Sequence, residues 1–327
     1  MDIAVFGAYG HTGRFVVAEL VERGHVPVLL GRDLDKLRAL GGGHEVRRAS
    51  VEEPDSLDQG LAGVDAVINC AGPFAATAGP VVEAALRAGI PYVDVAAEIE
   101  ANVDTFARFA DCAGVVVPAM AFFGGLGDLL VTAAMGDWAS ADEVHVAYGL
   151  SSWHPTTGTV QSGVVSGRRR GGRRVRFTGG RLEYHSDALP TLEWTFPAPV
   201  GAREVVGEFT MADVVTVPSH VDVREVRNYM SANAVADLAG GEAPNAVDEQ
   251  GRSAQTFVVD VLVRSGGEER RISATGQDIY AISAPLAVEA VERILTGRTK
   301  ATGVVSAGAV FDAPDFLDAL APYLTVR

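Results

Sequence analysis

Three glycines spaced three apart, Gly7, Gly10 and Gly13, separate a short apolar run, Asp2 to Phe6, from an apolar stripe at helical spacing, Phe15, Val16, Val17, Leu20 and Val21. A strand, a tight turn and a helix in that order leave few folds open. Gly7 allows the turn, Gly10 lets the backbone approach a pyrophosphate, and Gly13 permits close packing of helix on strand. Tyr9, His11 and Thr12 fill the turn, and phosphates would sit at the helix N-terminus. The spacing is G-x-x-G-x-x-G rather than the more usual G-x-G-x-x-G, so its weight comes from its position between strand and helix.

A second strand, Val26 to Leu30, ends in Gly31-Arg32-Asp33. The residue at this strand tip faces the ribose 2′ position of a bound dinucleotide. A guanidinium at Arg32, with Lys36 one helical turn on, suits a 2′-phosphate and so NADP over NAD. Asp33 reads as the N-cap of the next helix rather than a ribose contact. The cycle then repeats through a strand at Glu45 to Ala49, a helix at Pro54 to Leu61 and a buried strand from Val64 to Ala71. Such alternation predicts a Rossmann-type doubly wound parallel sheet, with its ligand beyond the carboxyl ends of the strands. Asn69, Cys70, Ala71, Gly72, Pro73 and Phe74 are therefore placed beside the cofactor. Cys70 reads as a small buried residue rather than a nucleophile.

From Asn69 to Glu98 the sequence runs NCAGPFAATAGPVVEAALRAGIPYVDVAAE. Taken with the glycine turn and Gly31-Arg32, it resembles the saccharopine dehydrogenase-like family of NADP-dependent oxidoreductases, which includes saccharopine reductases and trans-acting enoyl reductases. Gly124-Gly125-Leu126-Gly127-Asp128 is similar to a Pro-Gly-x-Asp segment of that family, without the proline. Thr157-Gly158-Thr159-Val160-Gln161-Ser162 is similar to a stretch of the enoyl reductase branch, and 303–318 to the family's closing segment. The resemblance implies an NADP-binding domain of residues 1–125 plus about 280–327. A domain of about 126–279 is then left to bind substrate and to dimerise. Independently of family, Gly79-Pro80 reads as a helix start. Asp94 and Glu98 fall at the carboxyl edge of the sheet, where most carboxylates hold backbone amides.

Between Asp142 and Thr275 the pattern changes to apolar and polar alternation, as in Glu143 to Tyr148 and Thr256 to Val263. It predicts a second α+β domain built on a largely antiparallel sheet. From Val144 to Leu182 there is no acid, while Arg168, Arg169, Arg170, Arg173, Arg174, Arg176 and Arg181 crowd together. The stretch reads either as a patch for an anionic substrate or as a solvated hairpin turning at Gly171-Gly172. Tyr148, His154 and Tyr280, with His220 and Tyr229 behind them, are the candidates to donate the proton that accompanies a hydride.

Composition removes several alternatives. The 327 residues carry 27 basic against 42 acidic side chains, and the net charge of −15 repels nucleic acid and anionic lipid. Two cysteines, Cys70 and Cys112, are too few for a disulfide framework. No apolar run approaches a bilayer span and the start has no basic leader, so a cytoplasmic protein is expected. The basic residues are 25 arginines and only two lysines, Lys36 and Lys300, which disfavours Schiff-base chemistry. No tyrosine has a lysine four residues on, which excludes the short-chain dehydrogenase pair. No histidine or cysteine spacing supports a metal site. The expectation is an NADPH-dependent reductase, most simply of an enoyl C=C bond in a small-molecule or acyl-carrier substrate, acting as a homo-oligomer, a dimer first. An imine or amino-acid C=N reductase is the alternative, and a non-catalytic NADP-binding redox sensor is the rival from another class.

Overall fold

The computed structural model describes residues 1–238, 240 and 243–327. The first half alternates as the periodicity predicts through β1 (Asp2–Phe6), α1 (His11–Glu22), β2 (Val26–Gly31), α2 (Leu34–Arg38), β3 (Glu45–Arg48), α3 (Pro54–Leu61) and β4 (Ala66–Asn69), and continues the same alternation through α4 (Phe74–Ala88), β5 (Tyr92–Asp94), α5 (Ile99–Arg108) and β6 (Val115–Val117). These strands form a parallel sheet in the order β3-β2-β1-β4-β5-β6, so the chain reverses direction across the sheet between β1 and β4. A crevice opens at such a switch point. Within β1, Ile3 and Val5 face one buried cluster while Ala4 and Phe6 face the other, as a sheet covered on both sides requires.

The second half begins with α6 (Gly127–Met135), β7 (Ser140–Leu150), α7 (Thr157–Arg169), β8 (Arg174–Thr178), β9 (Arg181–His185), β10 (Thr191–Phe196), β11 (Gly201–Gly207), α8 (Asp213–Thr216), β12 (Asp222–Ser231) and α9 (Ala232–Asp237). It continues through β13 (Thr256–Ser265), β14 (Glu268–Gln277), α10 (Ser283–Leu295), β15 (Gly303–Val304), α11 (Ala307–Val310), α12 (Ala313–Ala319) and β16 (Leu324–Val326). Its sheet runs β10-β11-β12-β7-β13-β14-β16. Pairing is antiparallel except at the centre, where β7 and β12 run parallel. Helix α6 lies under β13 and β14, and the largest apolar cluster continues from Ile3 and Val5 through Leu129 and Leu130 to Val259 and Val261. The two sheets therefore share a core.

Three expectations are corrected. Helix α4 begins at Phe74, not at Gly79-Pro80, and Pro80 lies inside it. The reason is Glu98, whose carboxylate accepts from the amides of Phe74 and Ala75 at 2.7 and 3.2 Å and so nucleates the helix six residues early. Gly171-Gly172 is not a hairpin turn: it ends α7, with the Gly172 amide donating to the Gly167 carbonyl at 2.9 Å. The hairpin is β8–β9, turning at Gly179-Gly180. Finally, the segment 280–327 does not return wholly to the first domain. Helix α10 packs on α1 and β15 joins β6, but β16 pairs with β14 in the second sheet. Leucine and valine in β16 extend that sheet because β14 is otherwise its open edge.

Among the described residues no helix is long and apolar enough to cross a membrane.

Candidate functional site

A cleft of about 1190 Å³ lies along the carboxyl ends of β1, β2, β4 and β5, roofed on its far side by residues of α7 and by Tyr280. Its first wall is the glycine turn. Gly7 has φ +87°, and a Cβ there would stand 2.9 Å from the Cβ of Ala71. At Gly13 an added Cβ would strike the carbonyl oxygen of Gly7, so helix α1 meets β1 only because both positions lack side chains. The amides of His11 and Thr12, in the first turn of α1, have no acceptor among the described residues, and both residues line the cleft. Unpaired amides at a helix start, beside a turn that only glycine can make, form a cradle of a shape and charge that suits a pyrophosphate.

Tyr9 lies across Gly31 and divides this cleft from a smaller hollow of about 530 Å³ lined by Tyr9, Arg32, Asp33, Leu34, Lys36 and Arg48. Asp33 caps α2, accepting from the amides of Asp35 and Lys36 at 3.1 Å each. Lys36 stands 3.6 Å from Asp33, and Arg48 is held by both carboxylate oxygens of Glu53 at 2.6 and 2.8 Å. Arg32 is exposed and has no acid partner among the described residues. The hollow thus holds three cations, of which Arg32 is the uncommitted one. Arg48 escaped the sequence reading because its position depends on the β2–β3 register, Gly31 opposite Arg48.

Of the other residues assigned to the cofactor, Cys70, Ala71, Gly72, Pro73 and Phe74 line the cleft with Gly10. Gly13 and Asn69 do not, and Lys36 faces only the smaller hollow. Asn69 is fully buried: its side-chain amide donates to the Tyr92 hydroxyl at 3.0 Å and its oxygen accepts from the Ala71 amide at 3.0 Å. It shapes the loop from beneath. Burial pushes the Cys70 thiol well above its ordinary range, which leaves no thiolate for nucleophilic work.

Asp94 and Glu98 hold backbone. Asp94 accepts from the amides of Ala96 and Ala119 and from the Tyr92 hydroxyl at 3.0, 2.8 and 2.7 Å. Burial raises its pKa to about 6 against the pull of those donors. Through Ala119 it fixes the loop that presents Phe122 and Phe123 to the cleft, and Gly124 in that loop has φ +100°.

The proton-donor candidates separate cleanly. Tyr148 is completely buried behind Phe122 and Phe123, with its hydroxyl at 2.9 and 2.8 Å from the two oxygens of Asp213, so it does not reach the cleft. His154 lies between Trp153 and Pro155 but does not line the cleft as they do. His220 is engaged by Asp128 at 2.7 Å, and Tyr229 by His145 at 2.9 Å, both away from it. Tyr280 alone of the five lines it. The Tyr280 hydroxyl accepts from the Trp153 indole N–H at 3.3 Å and the Thr156 amide at 3.2 Å, and meets Thr159 Oγ1 at 3.0 Å. Thr159 in turn meets Thr156 Oγ1 at 3.0 Å. Burial raises the Tyr280 pKa and lowers that of His11, whose ring packs edge-on against Tyr280 with centroids 5.2 Å apart.

Thr157-Gly158-Thr159, part of the sequence's enoyl-reductase likeness, is the first turn of α7 and lines the cleft, with Thr156 as the helix cap. Ser162 reaches across to within 2.9 Å of where a Gly72 Cβ would stand. Among the described residues, three of the seven arginines in the cluster face acids. Arg169 pairs with Asp104 at 2.7 Å, Arg170 with Glu100 at 3.4 Å, and Arg176 with Glu183, Asp187 and Glu208 at 3.2, 3.0 and 3.4 Å. A stretch without acids in sequence is not without acids in space. Arg170 alone of the cluster lines the cleft.

Comparison with known proteins agrees with this geometry. Residues 3–117 match the family model described as saccharopine dehydrogenase NADP binding domain. A probable mitochondrial saccharopine dehydrogenase-like oxidoreductase of Arabidopsis thaliana is 28% identical over 117 residues, which is 30% of this chain and 26% of that protein's length. The chain therefore matches about a quarter of that relative. Apo saccharopine dehydrogenase (L-Glu forming) from Saccharomyces cerevisiae superposes over 100% of this chain and 99% of its own, with a TM-score of 0.63 at 12% identity. That likeness is one of fold. Residues 3–117, which hold the glycine cradle and the cation hollow, are thus similar to a saccharopine dehydrogenase NADP binding domain.

Proposed function

We propose that this chain is an NADPH-dependent oxidoreductase that reduces a carbon–nitrogen double bond. The observation that carries the reading is the presence, in one cleft, of the dinucleotide cradle and the hydroxyl chain Tyr280, Thr159 and Thr156. The cradle of Gly7, Gly10, His11 and Thr12 would hold the pyrophosphate and Arg32 the 2′-phosphate, and the bound cofactor supplies a hydride. Reduction of an iminium places that hydride on carbon, and the nitrogen already carries its proton. The protein has only to orient the N–H, and Thr159 Oγ1, which accepts from Tyr280 and donates to Thr156, keeps a lone pair for it. Reduction of an enoyl C=C bond asks more, because a second carbon must be protonated by an acid. The Tyr280 phenol and the Cys70 thiol are both made weaker acids by burial, and burial keeps His11 neutral at pH 7. The imine reading, second in the sequence analysis, is therefore preferred here. The name of the yeast enzyme that shares the fold points the same way, since saccharopine is a secondary amine.

The test is NADPH consumption by the purified protein with a panel of cyclic imines, enoyl thioesters and enals. The expected result is a kcat/KM at least about tenfold higher for an imine than for any alkene, a difference of roughly 1.4 kcal/mol in transition-state binding. Preference for an alkene would contradict it. Cofactor binding without turnover of either class would favour the redox-sensor alternative.

A further inference from the structure

The end of the cleft away from Arg32 is walled by aromatic and aliphatic side chains: Phe122, Phe123, Trp153, Phe209, Met211 and Ile279. The rings form a continuous chain, with centroids 4.8 Å apart for Phe122 and Phe123, 5.3 Å for Phe123 and Trp153, and 6.1 Å for Trp153 and Phe209. Their positions are fixed from behind. The Phe122 amide donates to Ser283 Oγ at 3.1 Å, and the Trp153 amide and indole donate to Asp237 and Tyr280 at 2.9 and 3.3 Å. A surface of this kind recognises apolar bodies, and the few polar groups beside it set orientation.

Charge points the same way. A carboxylate brought out of water needs a cation or several donors, or its desolvation dominates. Among the described lining residues the cations are Arg32, at the cofactor end, and Arg170. Arg170 already faces the buried carboxylate of Glu100 at 3.4 Å and the Ser166 hydroxyl at 3.0 Å. Ser166 itself donates to Glu100. Glu52 and Glu98, which also line the cleft, add negative charge.

From this we infer that the site takes an imine whose substituents are apolar and preferably aromatic, and rejects polycarboxylate amines of the saccharopine kind. The inference rests on the proposed imine reduction for the reacting bond, and on the aromatic wall alone for the substituents. Contact with the half-buried ring of Phe209, backed by Trp153, supplies the selectivity, and Met211 adapts to the outline of the bound ring.

Calorimetry on the complex of the full chain with NADP⁺ separates the two claims, because it reads binding without turnover. The probes are 2-phenyl-1-pyrroline and saccharopine. The phenyl imine is expected to bind at least tenfold more tightly, and Phe209→Ala to weaken it at least fivefold while circular dichroism shows the fold retained. Equal or tighter binding of saccharopine, or no binding of the phenyl imine, overturns the inference. If the phenyl imine binds but is not reduced with NADPH, the apolar site stands and the proposed reaction falls.

Discussion

Arg32 and Asp33 are neighbours in sequence with opposite assignments, and the difference is one of local geometry. Asp33 spends Oδ1 on the first amides of α2 and turns Oδ2 toward Lys36, which leaves the guanidinium of Arg32 as the uncommitted charge in the hollow beside Tyr9. A charged hydrogen bond to phosphate contributes roughly 1.5–3 kcal/mol. Arg32→Asp is thus expected to weaken NADPH by about tenfold or more in a fluorescence titration while NADH is not weakened; equal losses would remove the 2′-phosphate assignment. Asp213 makes a second residue-level prediction. Burial raises its pKa from 3.8 to about 7, against hydrogen bonds from Tyr148 and Asn228. The fold therefore favours the protonated acid, and the stability this contributes is present in full below about pH 4 and lost as pH rises through 7. Asn228 Oδ1 is buried without a partner while its amide nitrogen donates to Asp213 at 3.1 Å. A half-turn of that amide would let it accept from a neutral group at 213. Urea unfolding of Asp213→Asn should show a flatter pH profile, with the variant gaining on the wild type from pH 4 to pH 8 by a few kcal/mol, at about 1.4 kcal/mol per unit. Parallel profiles would contradict this. Neither role of Asp213 nor the burial of Tyr148 was legible in the sequence, because their contact spans β7 and α8, whose packing no local pattern encodes.

At the scale of elements, the strands and helices from β1 to α4 were legible because each carries its own period and its own punctuation in glycine and proline, whereas α5 and β6 were not read from the sequence. The one clear misreading there, the start of α4, came from a cap supplied by a residue that lies 24 positions beyond Phe74. Glu98→Ala should remove both bonds to the α4 N-terminus and cost about 1–2 kcal/mol in thermal or urea unfolding, with Glu98→Gln recovering part of the loss. It should also weaken NADPH, since Gly72 and Pro73 lead directly into that helix. An unchanged melting temperature would refute the capping role. Helix α7 was hidden for a different reason. Its sequence is rich in glycine and small residues and buries only Ser166, so no apolar stripe marked it as a helix. Its place is set instead by the Thr156 cap and by the ion pairs of Arg169 and Arg170 to α5.

The whole molecule is a parallel and a mixed sheet joined through α6, α10 and the closing segment, with the cleft between them. The glycine turn was readable from three glycines, since a Cβ would clash outright at Gly7 and Gly13 and would crowd the Gly7 carbonyl oxygen at Gly10. The substrate half was not, because Phe122, Trp153, Phe209 and Tyr280 come from four separate loops and meet only when the second sheet packs against the first. Under the proposed function, that arrangement would tie substrate choice to the middle of the chain and cofactor choice to its beginning. The central claim is that the first domain holds NADPH through Arg32 and the glycine cradle. Isothermal titration calorimetry of NADPH and NADH into the wild-type protein measures it directly. The expected result is one site per chain with a Kd of about 1 μM or below for NADPH, close to 8 kcal/mol, and at least about tenfold weaker binding of NADH; equal affinities, or no NADPH binding at millimolar concentration, would contradict it.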